Sequence, residues 1–125
     1  MVLFYTQQVG RIRSGHNATE LVINVANYVH KHLSEAITTD QVAEALFLSR
    51  QHLSQRFTQE AGIPLVAFIQ KEKMEEAKRL LRYTDKSVAA IALYLGFFSQ
   101  SHMARVFKGT TGMTPGEYRE KKHGH

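Results

Sequence analysis

The chain has 125 residues, of which 43% are hydrophobic and none is cysteine. A chain of this length forms one domain, and the lack of cysteine excludes a disulfide framework, a thiolate nucleophile and a zinc–thiolate site. Sixteen Lys and Arg against eleven Asp and Glu give a net charge of +5, which favours a polyanionic partner, nucleic acid before membrane. The longest nearly apolar run, residues 89–98, is about half as long as a membrane span, so we expect a cytoplasmic protein.

The first half of the chain contains three helical segments. Apolar residues recur with helical spacing over residues 21–33 and predict the first helix. A second helix is predicted to begin at Thr38, an N-cap that can form a capping box with Gln41. A third should begin at Ser49 and stop at Gly62, because glycine suits a left-handed helix end.

The second half continues the helical pattern. A long helix with one apolar side is predicted over residues 65–82. A fifth helix is predicted over residues 87–96 and a sixth over residues 99–109, each opened by a serine N-cap and closed near a glycine. A last short helix opens at residues 114–115 and runs through Tyr118. No segment alternates convincingly with period two, so the sequence predicts an all-α fold of about seven helices.

The helical segments contain a repeat, since residues 38–62 and 87–112 follow one plan. Each copy is a capped helix, a tight turn, a second capped helix and a glycine stop, which is the layout of a helix-turn-helix. The offset is 49 residues before the turn and 50 after it, so the second copy has one extra turn residue. The corresponding pairs include Thr38 and Ser87, Ser49 and Ser99, Leu53 and Met103, Phe57 and Phe107, and Gly62 and Gly112.

The second helix of each copy, over residues 49–60 and 99–108, is a candidate recognition helix. Its outward face is polar, and no Asp or Glu occurs between Lys86 and Gly116. Gln can pair with adenine, Arg with guanine, and Ser with bases or phosphates. The base-reading candidates are Arg50, Gln51, Ser54 and Gln55 in the first copy and Gln100, Ser101, Ala104 and Arg105 in the second. The phosphate candidates are the helix N-termini at Thr38, Ser49, Ser87 and Ser99, together with the cations Arg56 and Lys108.

The long helix is the expected linker between the two helix-turn-helix subdomains. About 18 residues at a rise of 1.5 Å make roughly 27 Å, and recognition helices in successive major grooves lie roughly 34 Å apart. With the radii of the two subdomains added, the linker is about the right spacer. We therefore expect one chain to read two adjacent grooves of duplex DNA.

Three stretches carry a resemblance to a known family: "ITTDQVAEALFLSRQHLSQRFTQEAG", "AKRLL" and "SVAAIALYLGFFSQSHMARVFKGTTGMTPGEYR". Over residues 21–119 the chain resembles the DNA-binding domain of the AraC/XylS family of bacterial transcription regulators. The resemblance implies a seven-helix domain and a transcription regulator, often an activator that contacts RNA polymerase. It also implies base-reading roles for Gln51, Ser54, Gln55, Gln100, Ser101, Ala104 and Arg105. The chain departs from the family pattern at Phe98, at His102-Met103, and at Lys73, which replaces a frequent Arg.

The turn of the second copy has mainly structural interpretations. We expect Gly96 to adopt a left-handed conformation and Phe97 to anchor the turn in the core. Phe98 is either an apolar wedge at the DNA or a residue packed at the domain edge, and edge packing is favoured. His52 and His102 occupy equivalent places, where packing against a neighbouring helix is favoured over base contact.

Other classes of function have less support. The alternative to DNA binding is a helical interaction module whose basic face docks an acidic protein partner. No catalytic motif supports an enzyme, and no cofactor is expected. The stretches "HKH" at 30–32 and "HGH" at 123–125 lack the further ligands that a metal site needs.

The expected domain organisation is a DNA-binding domain over residues 20–119 between two short tails. Residues 1–19 are an N-terminal tail or the remnant of an interdomain linker, and residues 120–125 are a C-terminal tail. Members of the resembled family commonly carry a ligand-sensing and dimerising domain before this one, and we expect it to be absent from this chain. The chain is either a stand-alone regulator or a piece of a longer protein, and the pattern "VLFYTQQVGRIRSGHN" favours the second account.

Overall fold

The computed structural model describes residues 19–122, which contain seven α-helices and no strand. The helices are α1 (Glu20–Lys31), α2 (Thr39–Ala45), α3 (Arg50–Ala61), α4 (Leu65–Tyr83), α5 (Val88–Tyr94), α6 (Gln100–Thr111) and α7 (Pro115–Lys122). The expected all-α fold, with two helix-turn-helix subdomains and a long linker helix, is confirmed. Of the expected N-terminal tail only Thr19 falls within the described residues, and "HGH" at 123–125 lies outside them. None of the described helices is long and apolar enough to cross a membrane.

Six of the seven described helices begin at a hydroxyl side chain that accepts a backbone N–H of the first turn. These caps are Thr19, Thr38, Ser49, Ser87, Ser99 and Thr114. Thr38 and Gln41 form the expected capping box. Thr114 and Glu117 form a second one, which the sequence analysis did not identify. The backbone N–H of Thr114 donates to the Glu117 carboxylate and lowers the pKa of that group.

Glycines in the left-handed conformation end both candidate recognition helices. Gly62 has φ 86° after α3, and Gly112 has φ 83° after α6. The end predicted for α6 near Gly109 is wrong, because the helix continues to Thr111. A glycine inside a helix costs stability without ending the helix, whereas the left-handed residue that follows does end it.

The last helix is longer than its sequence pattern indicated. It was expected to run through Tyr118, but α7 continues to Lys122. Arg119 donates hydrogen bonds to the carbonyl oxygens of Leu81 and Thr84, at 3.0 and 3.1 Å. These bonds attach the end of α7, beyond Tyr118, to the backbone at the C-terminal end of α4.

The described chain forms two compact units, one of residues 19–32 and 37–69 and one of residues 33–36 and 70–122. In the first unit, α1 packs against α2 and α3. The rings of Phe57 in α3 and Phe68 in α4 lie 5.4 Å apart at 57°. The buried hydrophobic residues of this unit are Leu21, Val22, Val25, Ala26, Val29, Val42, Ala43, Leu53, Phe57, Ala61, Leu65, Phe68 and Ile69.

The second unit repeats this arrangement around its own core. The rings of Phe107 in α6 and Tyr118 in α7 lie 5.4 Å apart at 76°. Phe57 precedes Phe107 by 50 positions, and Phe68 precedes Tyr118 by the same number. The repeat therefore extends beyond Gly112, the end predicted for it, into α7. The buried cluster contains Met74, Ala77, Leu80, Leu81, Ile91, Ala92, Leu95, Met103, Phe107 and Tyr118.

Lys73 is a buried cation at the edge of the second core, with 6% of its surface exposed. Its ammonium group donates to the carbonyl oxygens of Leu33, Glu35 and Leu95, at 2.5, 2.6 and 2.6 Å. Burial lowers the pKa of Lys73 to about 8, while the charge of Glu35 opposes the shift. The amine therefore remains mostly protonated at neutral pH, and its three protons match three acceptors. One side chain thus fastens residues 33–36 to the turn after α5.

Glycine is required at position 96, in the turn after α5, where the backbone of residues 33–36 passes close by. It has φ 76°, as expected for a left-handed helix end. A Cβ at this position would lie 2.7 Å from the carbonyl carbon of Glu35 and 2.8 Å from the backbone nitrogen of Ala36. Both conformation and space therefore exclude any larger residue at this position.

Replacing Gly96 by Ala should lower the free energy of unfolding more than replacing Gly112 by Ala. Each alanine would have to adopt a left-handed conformation, which costs about 1–2 kcal/mol. A Cβ at Gly112 meets nothing within 4 Å, whereas one at Gly96 meets backbone and should add about 1–3 kcal/mol of overpacking. Urea denaturation followed by circular dichroism measures both variants. Equal losses would show that close approach of residues 33–36 does not constrain Gly96.

Replacing Lys73 by Met should destabilise the second unit by about 2–4 kcal/mol, because three carbonyl groups lose their donor. Lys71 lies on the same helix and is exposed, so Lys71→Met is the matched control, expected within about 0.5 kcal/mol of the parent. Thermal and urea denaturation compare the two. If both variants were equally stable, the ammonium bonds would contribute nothing net to folding.

Candidate nucleic-acid interface

The first candidate surface lies at the start of α3 and is here called the first recognition surface. It consists of Arg50, Gln51, Ser54 and Gln55, of which Ser54 is half-buried and the others are exposed. Their spacing places them along one side of the helix. The adjoining side of α3 is buried in the first unit through Leu53, Phe57 and Ala61, so the core fixes which residues face outward.

The second recognition surface occupies the same positions at the start of α6. It consists of Gln100, Ser101, Ala104 and Arg105, of which Ala104 is half-buried and the others are exposed. Met103 and Phe107 hold the inner side of the helix. A shallow depression beside α6 is lined by Ser101, Ala104, Arg105, Lys108, Gly109 and Thr114. A comparable depression beside α3 is lined by His52, Ser54, Gln55, Arg56, Thr58 and Gln59.

The two surfaces differ in their charge environment. Arg50 lies 3.8 Å from the carboxylate of Asp40 in α2, and both side chains are about 70% exposed, at 70% and 72%. A pair this exposed and this long contributes little, so Arg50 can still reorient toward a ligand. Arg105 forms no ion pair with any residue in the described range. The second surface is therefore the more basic of the two.

Arg56 is held away from the first recognition surface. Its guanidinium donates two hydrogen bonds to one carboxylate oxygen of Glu60, at 3.2 and 3.1 Å. The other oxygen of Glu60 accepts the hydroxyl proton of Thr19 at 2.6 Å. Arg56 thus belongs to a network at the start of α1. Lys108, in contrast, is exposed one turn beyond Arg105.

The hydroxyl groups proposed to mark phosphate sites are all engaged as helix caps. The oxygens of Thr38, Ser49, Ser87 and Ser99 accept the backbone N–H three residues further on. Each cap satisfies one of the N–H groups that a helix start leaves without an intrahelical acceptor. The remaining N–H groups of α3 and α6 lie in the first turn, which also carries the first two residues of each recognition surface.

The helix-turn-helix turns place two phenylalanine rings in solvent. The edge packing expected for Phe98 is wrong, because this residue is 95% exposed. The N–H of Leu48 donates to Ala43 and that of Phe97 to Ala92, so Leu48 and Phe97 are equivalent and Phe98 is the extra residue of the second turn. Phe97 packs against the second core as expected. Phe47, which sequence reasoning did not single out, is 94% exposed.

The two equivalent histidines have different surroundings. The ring of His102 is half-buried and lies 5.4 Å from that of Phe97 at 75°, which agrees with the packing role. His52 is exposed, so the packing role is wrong for it. No group of three or more His, Asp or Glu within residues 19–122 is arranged to hold a metal ion.

Comparison with known proteins gives matches over most of the chain. Residues 42–121 match the helix-turn-helix domain family. The chain is 37% identical over 99 residues to the xylose operon regulatory protein of Escherichia coli, which covers 79% of this chain and 25% of that protein. It is also 37% identical over 98 residues to an uncharacterized HTH-type transcriptional regulator of Staphylococcus aureus, covering 78% of this chain and 13% of that one. The chain therefore spans a small part of these relatives.

Two solved structures share the fold. The C-terminal domain of AraT, a response regulator from Geobacillus stearothermophilus, has a TM-score of 0.80 at 32% identity, covering 85% of this chain and 88% of that chain. The DNA-binding domain of AdpA, a global transcriptional factor solved in complex with a target DNA, has a TM-score of 0.77 at 25% identity. That match covers 82% of this chain and 93% of the AdpA chain.

Proposed function

The chain belongs to the AraC-type family of helix-turn-helix transcription regulators, and from that premise we propose that it binds duplex DNA sequence-specifically, with α3 and α6 in successive major grooves. The pair of matching recognition surfaces carries this proposal. The same four positions on each helix face outward, while a phenylalanine of each helix is fully buried beneath them. The proposal assigns the chain no enzymatic activity.

In this proposal the recognition surfaces read base edges. Gln51, Gln55 and Gln100 offer the paired donor and acceptor that suit adenine, and Arg50 and Arg105 offer the paired donors that suit guanine. Ser54 and Ser101 can bond to either kind of base, and Ala104 can contact a thymine methyl group. Because helix N-terminal residues reach base edges in a helix-turn-helix, their position in the first two turns supports these roles.

Phosphate contacts are proposed for Lys108 and for the helix starts at Thr38, Ser49, Ser87 and Ser99. Ser49 and Ser99 cap the two helices that carry the recognition surfaces, and Lys108 lies in the second of these helices. Arg56 is the least available of the proposed phosphate contacts, since its guanidinium donates to Glu60. A contact from Arg56 would require that pair to open.

The linker helix supports reading of two grooves by one chain. It contains 19 residues, or about 28 Å of helix, and successive major grooves on one face of DNA are roughly 34 Å apart. The length of α4 is the support for this part of the proposal.

A role as an activator that contacts RNA polymerase is the further part of the proposal. Its support is the resemblance to a family in which activators are common. Transcription in vitro with purified RNA polymerase tests it: an activator raises transcript yield from a promoter carrying the selected site, whereas a repressor lowers it.

In vitro selection from random duplex DNA tests the main proposal. Two short enriched blocks centred about 10 base pairs apart are expected, with affinity that falls as salt rises. A steep salt dependence with no enriched sequence would contradict sequence-specific reading. That outcome would favour the alternative, in which the basic face docks an acidic protein partner.

Arg105→Ala should weaken binding to the selected site by about 1–3 kcal/mol and relax the preference at one base position. Lys108→Ala is the matched control, because it removes a neighbouring cation from the same helix. It should weaken all sequences alike and reduce the salt slope by about 1. Competition binding with specific and random duplexes separates the two effects. If Arg105→Ala weakened both duplexes equally, its base-reading role would be wrong.

A further inference from the structure

Two almost fully exposed phenylalanines stand directly before the recognition helices. Phe47 is 94% exposed and lies two residues before the N-cap Ser49, and Phe98 is 95% exposed and lies one residue before the N-cap Ser99. Other phenylalanines of the described chain are used for packing: Phe57, Phe68 and Phe107 are fully buried. Each copy of the repeat thus exposes one phenylalanine in its turn, although the two residues are not at equivalent positions.

The fold itself gains nothing from these rings. A side chain that stays exposed adds almost no apolar burial on folding. Phe47 also has φ 61°, a left-handed conformation that is unfavourable for a bulky residue. The equivalent position in the second turn is Gly96, with φ 76°. Glycine at position 47 would therefore be the stabler choice, and the ring is present at a cost to local stability.

The exposed residues that follow both rings are polar, which suits a surface that contacts DNA. Each ring is followed within four residues by the exposed polar residues that open a recognition surface, Arg50 and Gln51 in one copy and Gln100 and Ser101 in the other. No acidic residue occurs between Lys86 and Gly116, which includes the whole second turn. The start of a recognition helix is the part that meets base edges, and a phenyl ring there can contact the C5-methyl group of thymine.

We propose that Phe47 and Phe98 are specificity-determining residues, each contacting a thymine methyl group in the major groove at one end of the block that its unit reads. This inference rests on the proposed sequence-specific binding of duplex DNA. It adds to each recognition surface an apolar contact located in the turn, outside the helix. It also explains why a ring is retained where a left-handed glycine or a polar turn residue would suit the fold.

The test uses the duplex that the parent protein selects and the variants Phe98→Ser, Phe47→Gly and Phe47→Asn. Each thymine of the two blocks is replaced in turn by deoxyuridine, which lacks only the methyl group. Fluorescence anisotropy gives the Kd for every combination. Val66→Ser is the control, because Val66 is 59% exposed in α4 and lies outside both turns.

One thymine in each block should be sensitive to the exchange. For the parent, deoxyuridine at that position should weaken binding about fourfold, the equivalent of one methyl group. Phe98→Ser should weaken binding at least as much and remove the sensitivity in its block, and the two Phe47 variants should do the same in the other block. Phe47→Gly should at the same time raise the melting temperature. Val66→Ser should bind as the parent does.

The outcomes separate this inference from the function on which it rests. If the parent enriches no sequence, the proposed function fails. If the parent selects a site but the phenylalanine variants bind it unchanged, only the inference is overturned. It is also overturned if the losses from Phe98→Ser and from deoxyuridine add independently, because the ring and the methyl group would then not touch.

Discussion

The buried side of each candidate recognition helix contains one phenylalanine, Phe57 in α3 and Phe107 in α6, whose ring packs 5.4 Å from an aromatic ring of the following helix. Both phenylalanines are fully buried, so they fix the rotation of their helix about its own axis. That rotation decides which side chains face outward. The polar surfaces at the starts of α3 and α6 therefore depend on the burial of the opposite side of each helix, to which the two ring pairs contribute.

The two units build the same geometry with different local chemistry. In the second unit, the backbone of residues 33–36 passes so close to the turn that only glycine fits at position 96. Lys73 fastens that segment to the turn with one proton for each of three carbonyl oxygens. In the first unit, Phe47 stands at the left-handed position, and Arg56, Glu60 and Thr19 form a polar network instead.

Local rules were sufficient to predict much of the fold and the identity of the candidate site. Capping hydroxyls, glycine stops and apolar periodicity each depend on residues within one or two turns of each other, and they gave the helices, the repeat and the two candidate surfaces. The Arg56–Glu60 pair has the i,i+4 spacing that a sequence can indicate, but the bond from Thr19 to Glu60 joins residues that are distant in the sequence and could not be predicted from it. The sequence also could not show that Arg119 would extend α7 through carbonyls of α4.

The phenylalanines of the turns illustrate the same limit. Phe97 and Phe98 are adjacent and chemically identical, yet Phe97 packs against the core and Phe98 is 95% exposed. Edge packing was the better expectation for Phe98 on composition alone, and it was wrong. The left-handed conformation of Phe47 could not be predicted from the sequence, because bulky residues rarely adopt a positive φ.

Hydroxyl-radical footprinting of one chain on a selected duplex tests most directly the central claim that one chain carries two separate reading surfaces. Two protected patches are expected on one face of the DNA, about 10 base pairs apart. A variant with Gln51 and Gln55 replaced by Ala should lose one patch, and a variant with Gln100 and Arg105 replaced by Ala should lose the other. A single patch, or loss of the same patch in both variants, would contradict the central claim.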